Sequence, residues 1–326
     1  MPLSTREIMP ALPLWSELDG GRARLVNHSE NQTFRVDTPG RGSYSLRLHR
    51  AGYQSAASIE SELAWLTALR HDTALPIPQP VAGTDGKLLQ GFATPEGEPR
   101  MAVLFHHIPG REPTPDSKLG GDLFATLGTY AAIMHKHAIA WQRPPGFERQ
   151  IWQAATILDS DGPWGDWRMA PGVNSDNRPI LDRLDSTLWL RLSEYGTSPD
   201  RYGLIHADMR LGNLLVDGDR VTLIDFDDCG FCWFTYDFAA AISFFETDPA
   251  IPALKLAWLN GYQSVRPLLE ADIASIDSMV MLRRMALLAW IGSHAETKLA
   301  KTHMKGFADG TALLAERYMR SPIWSR

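Results

Sequence analysis

The chain has 326 residues, 44% of them hydrophobic, a formal net charge of -6 and a pI of about 5.9. That length and apolar content suit a large core shared between two lobes. The acidic balance lacks the basic field of a general nucleic-acid binder, no uncharged apolar run is long enough to span a bilayer, and "MPLSTREIMPALPLW" has no basic start followed by an apolar run, so a cytoplasmic protein without nucleic-acid or membrane partners is expected.

The segments "ARLVNH", "QTFRVD" and "SYSLRLHR" read as three strands, the last two joined by the turn "TPGRG". Alternation in the third puts Tyr44, Leu46 and Leu48 on one face and Ser45, Arg47 and His49 on the other. "SAASIESELAWLTALRHD" reads as a helix, with Ile59, Leu63, Leu66 and Leu69 at helical spacing. Glu62 falls inside that apolar stripe and Glu60 outside it. A buried, unpaired charge is costly, so Glu62 requires a cation, and Arg47 is the expected partner. "LPIPQPVAG" is an extended connector, and "GKLLQGFAT" and "PRMAVLFHHI" read as two further strands.

"PGREPTPDS" is a turn-rich break. It separates a small β-rich lobe, residues 1–105, from a larger helical lobe, residues 106–326, with a hinge near 104–110. In the second lobe "DLFATLGTYAAIMHKHAIAW" and "PILDRLDSTLWLRLSEYG" read as helices, the latter ending at a glycine C-cap. "TYDFAAAISFFE", "IPALKLAWLNGYQ", "ASIDSMVMLRRMALLAWIGSHAE" and "GTALLAERYM" continue the helical pattern. Cys229 and Cys232, the only cysteines, have a redox or half-zinc spacing but no second ligand pair, so two reduced thiols in a packed turn are expected.

Between these helices lies "LIHADMRLGNLLVDGDRVTLIDFDD". Asp217-Gly218-Asp219 between two apolar runs is a hairpin signal. Folding back brings Asn213 and Asp225 together, with Asp208 on the preceding loop. Two carboxylates and a carboxamide oxygen suit Mg²⁺, which completes its shell with water and phosphate. A carboxylate outside that shell is free to orient a hydroxyl and accept its proton.

"HADMRLGN" followed by "IDFDD" resembles the catalytic and metal loops of the protein-kinase-like fold, in its aminoglycoside phosphotransferase branch, which includes choline, homoserine and hydroxylysine kinases and bacterial stress-response kinases. The resemblance extends to the small lobe and "YDFAAAIS", over roughly residues 20 to 250. It implies an α+β architecture: a small antiparallel-sheet lobe with one main helix, binding nucleotide, and a mostly helical lobe for catalysis and substrate. It implies ATP and Mg²⁺ as cofactors, Asp208 as catalytic base, and Asn213 and Asp225 as metal ligands. Arg210 stands where protein kinases of this fold commonly carry a lysine that reaches the γ-phosphate; the alternative is a surface ion pair. Arg47 stands where a phosphate-binding lysine is expected. The loop "NHSEN" has no glycine, so Asn27, Ser29 and Asn31 are the expected phosphate-covering residues, which weakens a protein-kinase reading. His206 is expected to brace the catalytic loop through its ring, and Asp237 through the loop's amides.

For the acceptor, Asp227, Asp228 and Glu246, with Trp233, Phe234, Tyr236, Trp164 and Trp167, offer acids and aromatic faces suited to an amine. The alternative is that the aromatics are packing and that Asp227 caps a turn or approaches the metal. A small-molecule hydroxyl acceptor is expected: an amino alcohol, hydroxylated amino acid or homoserine-like metabolite. Three other readings are a protein Ser/Thr kinase, a nucleotide-binding pseudokinase, and a metal-dependent hydrolase built on His206, Asp208 and Asp225.

Overall fold

The computed structural model describes residues 3–28, 31–113 and 120–321. Ser29 and residues 114–117 of the expected break lie outside the described residues. Two short 3-10 helices, Met9–Leu14 and Ser16–Leu18, lead into β1 (Arg22–His28), β2 (Gln32–Thr38), β3 (Gly42–Leu48), α1 (Ala56–Asp72), β4 (Pro80–Val81), β5 (Leu89–Ala93) and β6 (Pro99–His106). Then come α2 (Gly121–Ala140), β7 (Gln150–Ile151), α3 (Ala154–Ile157), α4 (Arg178–Tyr195) and β8 (Tyr202–Ile205). The hairpin β9 (Leu214–Asp217) and β10 (Arg220–Leu223) precedes β11 (Gly230–Trp233). The chain closes with α5 (Tyr236–Ala241), α6 (Ile251–Gln263), α7 (Glu270–Ser293), α8 (Lys298–His303) and α9 (Phe307–Arg320).

Two compact units result. The first holds Met1–Arg111, Gln142–Arg149 and Leu215–Asp227; the second holds Glu112–Trp141, Gln150–Leu214 and Asp228–Arg326. The first unit carries an antiparallel sheet of order β1-β2-β3-β6-β4, with β5 also on β6. Tyr44, Leu46 and Leu48 of β3 join Phe34, Val36 and Leu104 in a core closed by Ile8, Leu12 and Trp15. Ser55 caps α1, its side chain accepting from Ser58 N. Ile59, Leu63, Leu66 and Leu69 of α1 are buried, and so is Glu62, while Glu60 is exposed. The later stretches complete this unit. Val216 pairs with Arg111, Leu223 N donates to Pro76 O, and Glu148 N donates to Ser61 Oγ.

In the second unit α2 and α6 touch backbone to backbone. A Cβ on Gly128 would lie 2.0 Å from Trp258 O, and one on Gly261 would lie 1.9 Å from Ala125 O. Helix α4 ends at Gly196, whose φ of +72° needs no Cβ. Helix α7 is buried along most of its length, so its charged residues must find partners inside the protein. Lys255 meets Asp277 at 3.3 Å and Arg284 meets Glu246 at 2.6 Å.

Two local expectations are corrected. The "CGFC" segment is not a turn: β11 pairs antiparallel with β8 and parallel with β7. Both cysteines are buried and outside any disulfide, and burial pushes the Cys232 thiol up. The helix expected through Glu246 stops at Ala241, and Phe244 then takes a φ of +75°, which no helix tolerates. Among the described residues, no helix is long and apolar enough to cross a membrane.

Candidate active site

In the second unit, β8 delivers the chain to His206 and then to Ala207, a non-glycine residue held at φ +66°. Asp237, in the first turn of α5, stabilises this conformation. Its Oδ1 accepts Ala207 N at 2.8 Å, and its Oδ2 lies 3.4 Å from His206 N and 2.9 Å from His135 Nε2. The other nitrogen of His135 lies 2.9 Å from Tyr262 Oη. Burial lowers the His135 pKa despite Asp237, so the ring is neutral and donates from Nε2. The fully buried His206 accepts Asp208 N at Nδ1, 3.2 Å away. His206 thus bonds within the loop through its ring, and Asp237 bonds to the loop's amides.

The Asp208 side chain is held at both oxygens. Oδ2 accepts from Asn213 Nδ2 at 2.6 Å and from Arg210 Nε at 3.2 Å, while Oδ1 accepts from Arg283 Nη2. Asn213 Nδ2 also donates to Asp208 O at 2.8 Å, which turns the carboxamide oxygen away from Asp208. Burial by itself would raise the Asp208 carboxyl. Arg283, then Arg210 and His206, outweigh it and hold the group below its ordinary value. The carboxylate is therefore ionised. Gly212 makes room for the folded-back Arg210, since a Cβ there would lie 2.3 Å from Arg210 Nη1.

The first unit carries the cation and acid pair. Arg47 Nη2 lies 2.7 Å from Glu62 Oε2, and the two side chains are 8% and 1% exposed. Arg47 Nη1 lies 3.9 Å from Asp225 Oδ1 and 4.0 Å from Asp227 Oδ1, and its guanidinium sits 5.2 Å from the Phe105 ring. Asp225 is exposed and has a φ of +65°. Asn27 is exposed beside a register shift in β1.

Several expected contacts are redirected. Asp227 does not present a free carboxylate to an acceptor: it is buried, and its Oδ2 accepts Asn31 Nδ2 at 2.9 Å. Its backbone oxygen takes Gln54 Nε2 at 2.9 Å and an Arg149 nitrogen. Asn31 is likewise buried, with Oδ1 accepting Arg50 N at 3.2 Å, so it ties the end of the β1–β2 loop to Asp227 rather than lying open over phosphates. Trp233 and Tyr236 are core residues, 3% and 1% exposed. The Trp233 indole donates to Gly196 O at 2.7 Å, and Tyr236 packs 5.9 Å below Arg283. Trp164, Trp167 and Phe234 are buried too, and Glu246 is engaged by Arg284. Arg283 was not anticipated, although adjacent arginines inside an apolar helix signal a buried charge seeking a partner.

Each unit by itself offers a hard oxygen donor of the kind Mg²⁺ takes: in the first the Asp225 carboxylate is 42% exposed, and in the second the Asn213 carboxamide has its nitrogen committed to Asp208. Among the described residues no three His, Cys, Asp or Glu side chains gather into a metal cage.

The sequence profile of the phosphotransferase enzyme family, APH, matches residues 22–268. The solved structure of a microcompartment-associated aminopropanol kinase is 43% identical, covering 95% of this chain and 96% of that one, with a TM-score of 0.86. Amicoumacin kinase of Bacillus subtilis (strain 168) is 25% identical over 254 residues, 75% of this chain and 72% of that protein. Homoserine kinase of Gluconobacter oxydans (strain 621H) is 26% identical over 254 residues, 74% of this chain and 75% of that protein. With most of its length matched by the family profile, the chain belongs to the phosphotransferase enzyme family and is a kinase that phosphorylates a hydroxyl group.

Proposed function

We propose that the acceptor is the hydroxyl of a small amine-bearing metabolite, an amino alcohol of the aminopropanol class. The observation that carries this reading is the 43% identity, over 95% of the chain, to an aminopropanol kinase. The homoserine kinases among the relatives make a hydroxylated amino acid the second candidate.

In this reading Asp208 is the base. The acceptor oxygen attacks the γ-phosphorus, the bond from that phosphorus to the ADP oxygen breaks, and the hydroxyl proton passes to Asp208. A carboxylate held below its ordinary pKa is a weak base. It suits a loose phosphoryl transition state, in which orienting the hydroxyl matters more than early deprotonation. Asn213 and Asp225 are the proposed Mg²⁺ ligands, and the metal would neutralise charge on the phosphate oxygens. Arg47, held by Glu62, takes the place of the usual lysine at the α and β phosphates. Arg210 supplies a guanidinium to the moving phosphoryl group.

An ATP-consumption screen tests this, with aminopropanol, ethanolamine, homoserine, hydroxylysine, sugars and aminoglycosides as acceptors. The amino alcohols are expected to give the highest kcat/KM, with Asp208→Ala lowering kcat about 10²–10⁴-fold. Higher kcat/KM for homoserine replaces the acceptor class, and full turnover in Asp208→Ala removes the base assignment. Arg210→Ala is expected to slow transfer more than it weakens nucleotide binding.

A further inference from the structure

We propose that Arg283 is a positioning residue for phosphoryl transfer, fixing the orientation of the Asp208 carboxylate that receives the acceptor's proton. The inference rests on the assignment of Asp208 as base.

Arg283 projects from the buried helix α7, and its side chain is 3% exposed. Three nitrogens have separate partners. Nη2 donates to Asp208 Oδ1, Nη1 to Ala207 O at 3.4 Å, and Nε to Ser243 Oγ at 3.1 Å. The Ser243 hydroxyl in turn donates to Ala240 O at 2.8 Å, so its oxygen is set to accept. Trp164 and Tyr236 pack around the guanidinium, with ring centroids 5.3 and 5.9 Å away.

These contacts span two strained backbone positions among the described residues of the second unit. Ala207, at φ +66°, is gripped at its carbonyl, and Ser243 directly precedes Phe244, at φ +75°. Non-glycine residues keep such conformations only where their surroundings over-determine them. Arg283 thus ties the catalytic loop to the end of α5 while holding Oδ1. Asn213 and Arg210 hold Oδ2 independently. Removing Arg283 therefore leaves the carboxylate attached but free to rotate about its remaining contacts, so orientation is lost before charge or nucleotide binding. A lysine would keep the charge, but its three donors sit on one nitrogen and could not reach acceptors spread over three separate guanidinium nitrogens.

The test compares Arg283→Lys, Arg283→Ala, Asp208→Ala and the double variant Asp208→Ala/Arg283→Ala, each normalised to folded enzyme by circular dichroism. Both Arg283 variants are expected to lower kcat about 10- to 100-fold, with KM for ATP within about 2-fold of wild type. Added guanidinium chloride at low concentration is expected to restore part of the kcat of Arg283→Ala and none of that of Asp208→Ala. The double variant should be no slower than Asp208→Ala, because the two residues act as a unit. Should Arg283→Ala not fold, Arg283→Lys carries the test. Wild-type kcat in Arg283→Lys, or losses that multiply in the double variant, overturns the inference while leaving Asp208 as base. Full turnover in Asp208→Ala overturns the base assignment and this inference with it.

Discussion

Replacing Arg47 with methionine removes a cation shared by three carboxylates. Glu62 lies 2.7 Å from it, Asp225 3.9 Å and Asp227 4.0 Å. At about 4 Å and an effective dielectric near 20, each full charge pair is worth about 4 kcal/mol before solvent screening. Asp225 is 42% exposed, which cuts its share well below that. Glu62 and Asp227 are buried and keep most of theirs. Breaking a buried pair typically costs about 3–5 kcal/mol, because the surviving charge is stranded. Arg47→Met strands Glu62 beside two more acids and should fall at the top of that range, about 5 kcal/mol. Glu62→Gln leaves Arg47 with Asp225 and Asp227 and should fall at or below its foot, about 3 kcal/mol. Urea unfolding of the two variants measures the difference, and KM for ATP should rise in both. Equal losses, or a larger loss in Glu62→Gln, would refute the reasoning that Arg47 is the hub of this cluster.

Acidification should destabilise the first unit through His49, whose burial and the neighbouring Arg47 hold its pKa down at about 3. An unfolded chain protonates this ring near 6.5, so between these values the unfolded state binds more protons and stability falls as pH falls, by up to about 1.4 kcal/mol per unit. His49→Gln should flatten that part of the stability curve, and an unchanged slope would contradict it. Gly261→Ala drives a methyl against Ala125 O, 1.9 Å away, so helices α2 and α6 must part, at about 3 kcal/mol or more, read as a lower melting temperature. Asp237→Asn removes the charge from a group that serves Ala207 N, His206 N and His135 Nε2, and at most two of these contacts survive intact. A loss of about 1–3 kcal/mol is expected, with a lower kcat, measured by urea unfolding and ATP turnover.

What was legible in the sequence was whatever local periodicity or spacing forces. Glu62 could be found because an acid inside an apolar helical stripe must be paired, and β3 alternation pointed to Arg47 as its partner. Asp237 could be found because it opens a helix just after the catalytic stretch. For Trp233, Tyr236 and Asp227 the sequence left two readings open, for the opposite reason: whether an aromatic or an acid near a site lines it or supports it depends on distant segments. Tyr236 is covered by Arg283 from α7, and Asp227 by Asn31, Gln54 and Arg149. Strand β11 escaped because its four residues carry no period of their own and are defined by pairing with β7 and β8.

The first unit is assembled from three separated stretches of chain, the last ending at Asp227. On the ribosome the N-terminal segment through Arg111 therefore emerges without the carbonyl of Val216 that pairs with Arg111 N, and without the Asp227 that satisfies Asn31 and Gln54. Domains that fold during synthesis close as soon as their sequence is out. This one must wait through the second unit's first helices, with the Arg47 and Glu62 pair made early and its remaining carboxylates arriving late. A fragment ending near residue 111 should therefore be a chaperone client rather than an independent nucleotide binder, and proteolysis of stalled nascent chains should show protection of α1 rising only once residue 227 has cleared the exit tunnel.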